Sequence, residues 1–199
     1  MPTKLPKSFY LQTDVVSIAK QLLGKLLCTN IEGQLAKAII TETEAYNGII
    51  DKASHAFGDR NTPRTSTMYM QGGVAYIYLC YGIHHLFNVV SHHKDIPHAV
   101  LIRAAEPIEG IEHMLERRNR TKLDRTLSAG PGTLSQALGI DRTLNGESLT
   151  GKKIWIEDAP LLAEKDIIIT TRIGVDYAAE DALLPYRFYI KNSKFVSRY

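Results

Sequence analysis

The chain has 199 residues, 44% of them hydrophobic and 23% charged, enough for one sizeable core and too apolar for a disordered segment. A formal net charge of +3 and a pI near 8.8 permit a polyanionic partner without requiring one, and no apolar run approaches the ~18 residues of a membrane span. Cys28 and Cys80 sit in apolar runs without CxxC spacing, so buried unpaired thiols and a reducing, intracellular setting are expected.

The opening stretch MPTKLPKSFY carries neither an apolar targeting core nor an Arg-rich amphipathic pattern. Residues 14–24, DVVSIAKQLLG, then place Val15, Ile18, Ala19, Leu22 and Leu23 at helical spacing, with Asp14 able to cap the start and Gly24 to end it. KLLCTN and QLAKAIITETEAY flank the Glu32-Gly33 turn and predict a hairpin. Near the end of its second strand Glu42 and Glu44 stand two apart, so strand alternation sends both carboxylates to one face. Such a pair is solvated and idle, a metal site, or a catalytic carboxylate beside a bystander. From Asn47 to Thr67 the chain is polar and rich in turn formers, which predicts a long surface loop, and His55 stands alone within it.

VAYIYLCYG, HLFNVV and AVLIRA, separated by Gly82 and by HHKDIPH, predict an antiparallel meander. Tyr76 and Tyr78 share one face and Tyr81 falls at the turn. With Asn88 in an otherwise apolar strand, they read as an ordinary half-buried sheet surface or as a stacking platform for nucleobases. His84, His85, His92, His93 and His98 crowd into fifteen residues, but adjacent histidines on a strand point to opposite faces and are poorly disposed to share a metal ion. In EPIEGIEHMLERR, Pro107 is expected in the first turn of a helix with Ile108, Ile111, Met114 and Leu115 on its apolar side. A second short helix is expected in AGPGTLSQALGI, where GPG cradles a phosphate or makes an ordinary turn. Strands at KKIWIE, DIIITTRIG and YRFYI complete a single α+β domain over residues 1–199, built on a mainly antiparallel sheet with surrounding helices and a protruding β-hairpin.

Arg103 and Arg172 interrupt apolar strands, and a buried guanidinium needs a partner. Pairing Arg103 with Glu44 would hold an ionised carboxylate in place, as suits a general base acting on water. Arg117, Arg118, Arg120, Lys122 and Arg125 form one basic cluster and Arg187, Lys191, Lys194 and Arg198 another, each a solvated surface or a polyanion contact. GxxxxGK[ST], GxSxG and HExxH do not occur, which disfavours P-loop, elbow-type and zincin chemistry. The residues by themselves therefore yield a site with a water-activating carboxylate and aromatics. A metal-dependent hydrolase using the histidines of residues 84–98 and a non-catalytic nucleic-acid-binding module stand as alternatives.

In chain order, ETEAYNG, DKASHAFG, NTPRTSTMYM, YIYLCYGIHHLFNVV, AVLIRAAEPIEG, SAGPGTLSQALGI, RIGVDYA and PYRFYIKNSKFVS together resemble the alkyladenine (3-methyladenine) DNA glycosylase family, the single-domain vertebrate and bacterial type. The resemblance runs from about Leu11 to the C-terminus. It implies an enzyme that bends duplex DNA, flips out a damaged purine and hydrolyses its N-glycosidic bond, leaving an abasic site with the strand intact. It makes Glu44 the catalytic base, Arg103 its support and the carbonyl of Ile173 part of the water holder. Tyr46, His55 and Tyr78 become the walls of the base pocket, Asn88 the residue that crowds normal guanine, and Tyr81 the wedge in the minor groove. Arg60, Thr62, Arg64, Lys191 and Lys194 are candidates for the DNA backbone. Glu42 is left without a role. No cofactor and no metal are expected, and the protein is expected to act as a monomer, cytoplasmic in a bacterium or nuclear in a eukaryote. His84, where vertebrate members lead one to expect tyrosine, is a departure from the family's pattern.

Overall fold

The long strand β2 organises the molecule, because both of its edges are paired. A computed structural model describes residues 3–197, so Arg198 of the basic tail lies outside the described residues. Helix α1 (Val15–Leu22) is capped by Asp14, whose carboxylate accepts the Val16 N–H at 2.9 Å and the Ser17 hydroxyl at 2.6 Å. Strands β1 (Leu26–Ile31) and β2 (Gln34–Asn47) form the expected hairpin around Glu32 and Gly33, whose φ values of 53° and 82° are those of a tight hairpin turn. Strands β3 (Ala75–Cys80), β4 (His84–Ser91) and β5 (His98–Glu109) form the expected antiparallel meander. Helices α2 (Ile111–Arg117) and α3 (Pro131–Ala137) follow, then β6 (Ile154–Glu157), β7 (Ile167–Thr170) and β8 (Arg187–Ile190).

The sheet runs β3-β4-β5-β2-β1-β6. On the edge of β2 away from β5, β1 pairs with residues 34–39 and β8 with residues 42–44, and β7 extends the sheet from β8. The fold is thus a single α+β unit around a mainly antiparallel sheet. Ile18 and Leu22 of α1, Ile40 of β2, Ile102 of β5, Leu134 of α3 and Phe188 of β8 share its main core. One end of β2 is consequently fixed in the core while its other end enters a cleft.

Three expectations need correction. Pro107 does not open a helix but lies in β5 opposite Ala38, at a register shift next to Lys37, and β5 is past its last β4 partner at Leu101. A residue lacking an N–H is tolerated in such an irregular stretch, paired along one edge. The following helix starts only at Ile111, after Gly110 with φ 69°, where a Cβ would come 2.1 Å from the Leu35 carbonyl oxygen. Residues 47–67 do not simply cross the surface either: Asp51, Ala53, Ser54, Ala56 and Thr65 are buried. The Asp51 carboxylate organises this segment by accepting the N–H groups of Asn47 and Ala53, both at 3.0 Å. Cys28 is buried as expected, with its thiol pushed up to about 12 by burial, but Cys80 is only half-buried.

Two register shifts aim the residues that matter most. Between the pairs Ile40–Ala105 and Glu42–Ala104, β2 carries an extra residue; between Glu42–Ala104 and Thr43–Ile102, β5 does, and that residue is Arg103. A bulged residue leaves the ladder and its side chain is redirected. Arg103 is thereby brought between Glu42 and Glu44, which stay on one face of β2.

Candidate active site

Glu44 is fully buried where β2 meets the cleft, and its carboxylate is held from three directions. The Ile173 backbone N–H donates to Oε1 at 2.8 Å, the Tyr46 hydroxyl donates to Oε2 at 2.8 Å, and Arg103 Nη1 stands 3.2 Å from Oε2. Burial and the neighbouring Glu44 push the Tyr46 phenol well above its ordinary range, so it stays a neutral donor. Burial alone would weaken the Arg103 charge, but the Glu44 and Glu42 carboxylates outweigh it and raise its proton affinity. Donors on both oxygens and a fixed counter-charge hold the carboxylate in one orientation, as a group acting on a neighbouring molecule requires.

Glu42, left without a role by the sequence, is also fully buried and heavily bonded. Its carboxylate accepts from Arg103 Nε at 3.1 Å, Arg187 Nε at 2.6 Å, the Ser197 N–H at 2.6 Å and the Ser197 hydroxyl at 2.7 Å. The two glutamates do share one face, but neither is solvated. Arg172, expected within a strand, lies just past the end of β7; it pairs with Asp51 through both terminal nitrogens at 2.5 and 2.9 Å and lies over the rings of Tyr46 and Tyr186. That pair ties the segment after β2 to the one that presents Ile173.

Beside Glu44 lies a small cavity lined by Tyr46, His55, Tyr76, Tyr78, Asn88, Met68 and Tyr177 together with Ala53 and Ala99. His55 packs edge-on against Tyr78 with ring centroids 4.6 Å apart, and its Nδ1 is 2.9 Å from the Tyr76 hydroxyl. Arg64 Nη2 stands 3.5 Å from His55 Nε2 on the other side of the ring. Burial, reinforced by Arg64 and Arg60, lowers His55 to about 4, so the ring is neutral at pH 7. Asn88 is 3% exposed, and its amide nitrogen donates to the carbonyls of Tyr76 at 3.1 Å and Leu86 at 3.4 Å, which immobilises it in the cavity wall.

The cavity adjoins a wider cleft reached by Arg103, Ile173, Tyr46, His55, Tyr78 and Tyr81. The tip of the β3–β4 hairpin stands at that cleft, with Tyr81 at φ 50° and 92% exposed, followed by Gly82 and by the exposed Ile83. The Tyr81 ring therefore projects from the hairpin without packing against the fold. Of the candidates for the DNA backbone, Arg60 and Arg64 are exposed, Thr62 is half-buried, and Arg64 lines the cleft with its guanidinium over Tyr78. Lys191 and Lys194 are exposed beyond β8, and Lys194 borders a separate groove with Leu123 and Arg125.

The GPG turn contributes Gly130, Pro131 and Gly132 to the cleft wall, where a Cβ on Gly132 would come 2.8 Å from the His84 ring. The histidines do not converge: His92 packs edge-on against His93 and His98, and among the described residues no group of three or more His, Cys, Asp or Glu side chains could hold a metal ion. Tyr177, which bridges to the Ala53 carbonyl at 3.0 Å across the cavity, was not singled out in the sequence. Its only signal there was an aromatic in the polar stretch after Arg172.

The sequence profile described as methylpurine-DNA glycosylase (MPG) matches residues 8–194. Among curated proteins, the chain is 45% identical over 205 residues to the "Putative 3-methyladenine DNA glycosylase" of Clostridium perfringens strain 13, covering 98% of this chain and 99% of that one. Proteins of the same printed name from Chlamydia abortus and Natranaerobius thermophilus are 49% and 45% identical, over 94% and 98% of this chain and 100% and 98% of their own.

Proposed function

Because the chain belongs to the methylpurine-DNA glycosylase family, we propose that it is a monofunctional glycosylase that accepts a damaged purine flipped from duplex DNA and hydrolyses its N-glycosidic bond with a water activated by Glu44. As a 3-methyladenine-type DNA glycosylase it works in base-excision repair. The observation that carries the finer reading is the placement of Glu44, buried and triply held, beside a cavity lined by aromatic rings.

In this reading Tyr46, His55 and Tyr78 enclose the flipped base. Alkylation makes a purine cationic, which strengthens its attraction to electron-rich ring faces, and a neutral His55 imposes no opposing charge. As the bond between the sugar C1′ and the purine nitrogen breaks, its electron pair leaves with the base and positive charge develops on the sugar. The buried Glu44 carboxylate stabilises that charge and takes a proton from the water whose oxygen bonds to C1′. Arg103 and the Ile173 segment orient the carboxylate, with the Ile173 carbonyl as a further acceptor for the water. A purine alkylated on a ring nitrogen departs as a neutral base, whereas a deaminated purine, neutral before cleavage, departs as its anion and takes up a proton once released. Among the described residues none that lines the cleft is a lysine, which supports hydrolysis over covalent attack by an amine and hence an intact strand.

Tyr81 fills the gap left in the stack, and Asn88 crowds the exocyclic amino group that distinguishes guanine from the bases to be removed. The test is single-turnover base release from a duplex carrying 3-methyladenine or hypoxanthine. Glu44→Gln is expected to bind the lesion duplex and lose release by roughly 10²–10⁴-fold; release at the native rate would remove the mechanism.

A further inference from the structure

We propose that Glu42 is a positioning residue, whose hold on Nε fixes the Arg103 guanidinium so that Nη1 is the nitrogen turned toward Glu44. The proposal rests on Glu44 being the water-activating base.

Arginine and a carboxylate left to themselves favour a two-pronged pairing, two parallel N–H groups on two oxygens. Arg103 and Glu44 do not pair in this way. The nearest approach to Glu44 is that of Nη1, at 3.2 Å from Oε2, while Nε is taken by Glu42 at 3.1 Å and both Nε and Nη2 lie 3.3 Å from the Ser197 hydroxyl oxygen. A forked contact would engage both Glu44 oxygens with the guanidinium. The observed closest contact is with Oε2, while Oε1 accepts the Ile173 N–H.

Glu42 is equipped to keep this grip. It is fully buried, it is anchored independently by Arg187 Nε at 2.6 Å, and it takes both donors of Ser197. The neighbouring Thr41 hydroxyl donates to the Phe195 carbonyl at 2.5 Å, fixing the same C-terminal segment from a second point. The bulge that places Arg103 between the glutamates makes it available to both, and Glu42 with Ser197 settles which of its edges faces which.

A double-mutant cycle on single-turnover release tests this. Glu42→Gln in the native background is expected to slow release by roughly 10²-fold with the lesion-duplex Kd unchanged, because a small misplacement at a reacting group is costly. In an Arg103→Gln background the same change is expected to cost nothing further, since its effect runs through the arginine. A native rate in folded Glu42→Gln, or an equal loss in both backgrounds, overturns the proposal. If Glu42→Gln does not fold, Ser197→Ala enters the same cycle, with a smaller loss expected and the same two overturning outcomes. Glu44→Gln runs alongside: if it retains native release the underlying mechanism fails, whereas its inactivity beside a fully active Glu42→Gln defeats the positioning role alone.

Discussion

Ile173 donates its backbone N–H to Glu44 Oε1 at 2.8 Å across 129 positions of the chain. The contact uses no side-chain atom of Ile173, so substitutions there separate backbone from side chain. Ile173→Ala is expected to keep most of the base-release rate. Ile173→Pro, which deletes the N–H, is expected to lower it by roughly 10–10²-fold, in line with loss of a charge-assisted hydrogen bond of about 1.5–3 kcal/mol. Single-turnover release on one lesion duplex, with thermal melting to verify folding, checks the pair; equal losses would refute the backbone role.

Asn88 is anchored through its amide nitrogen to two carbonyls, so it cannot swing aside for a larger base edge. Asn88→Ala is expected to raise release of undamaged guanine relative to hypoxanthine by roughly tenfold, the scale of one steric contact in a pocket. The measurement is the ratio of the two rates on matched duplexes. An unchanged ratio would take Asn88 out of substrate selection.

Tyr81 stands 92% exposed at a hairpin tip, where removing its ring disturbs no packing. Tyr81→Ala is expected to leave the melting temperature in place and to impair release from duplex far more than from a single strand, because only the duplex has a stack to fill. Equal impairment on both substrates would exclude a wedge.

His55 and His98 are each lowered to about 4, His55 by burial with Arg64 and Arg60 nearby and His98 by burial with His92 nearby. Unfolded, both take up protons near pH 6.5. Between about pH 6.5 and pH 4 the unfolded chain therefore binds more protons than the native one, and stability falls as the pH drops through that window while staying level above it. Each ring is expected to contribute roughly 1–3 kcal/mol to this loss. Urea unfolding at pH 8, 6 and 5 measures it, and His98→Gln should flatten the slope. A midpoint independent of pH would contradict the burial of both rings.

Asp51 and Arg172 form a buried two-pronged ion pair with side chains 1% and 0% exposed. Breaking one partner of such a pair costs about 3–5 kcal/mol, so Asp51→Ala is expected to lower Tm by roughly 10 °C. A thermal melt of that variant decides the point.

Much of this fold is legible in the sequence wherever the signal is local. The period of α1 with its Asp14 cap, the Glu32-Gly33 hairpin and the β3–β5 meander all follow from neighbours along the chain. Pro107 is misread because its tolerance in β5 depends on a register shift and on the partner strand ending early, which no local pattern records. Glu44 and Arg103 can be paired by asking which carboxylate a strand arginine could meet. That Glu42 meets the same arginine depends on a bulge and on Ser197, 155 positions away, and neither is visible in ITETEAY. Tyr177 escapes notice for a similar reason, since only the folded chain brings it across the cavity to Ala53.

The Glu42–Ser197 contact also bears on how the chain closes on itself. The Ser197 N–H and hydroxyl both end on the Glu42 carboxylate from 155 positions away, and the Thr41 hydroxyl holds the Phe195 carbonyl beside them. The entropy lost in closing a loop grows only slowly with its length, so a contact this remote in sequence knits the segment around Ser197 to β2 at little more cost than a nearer one would.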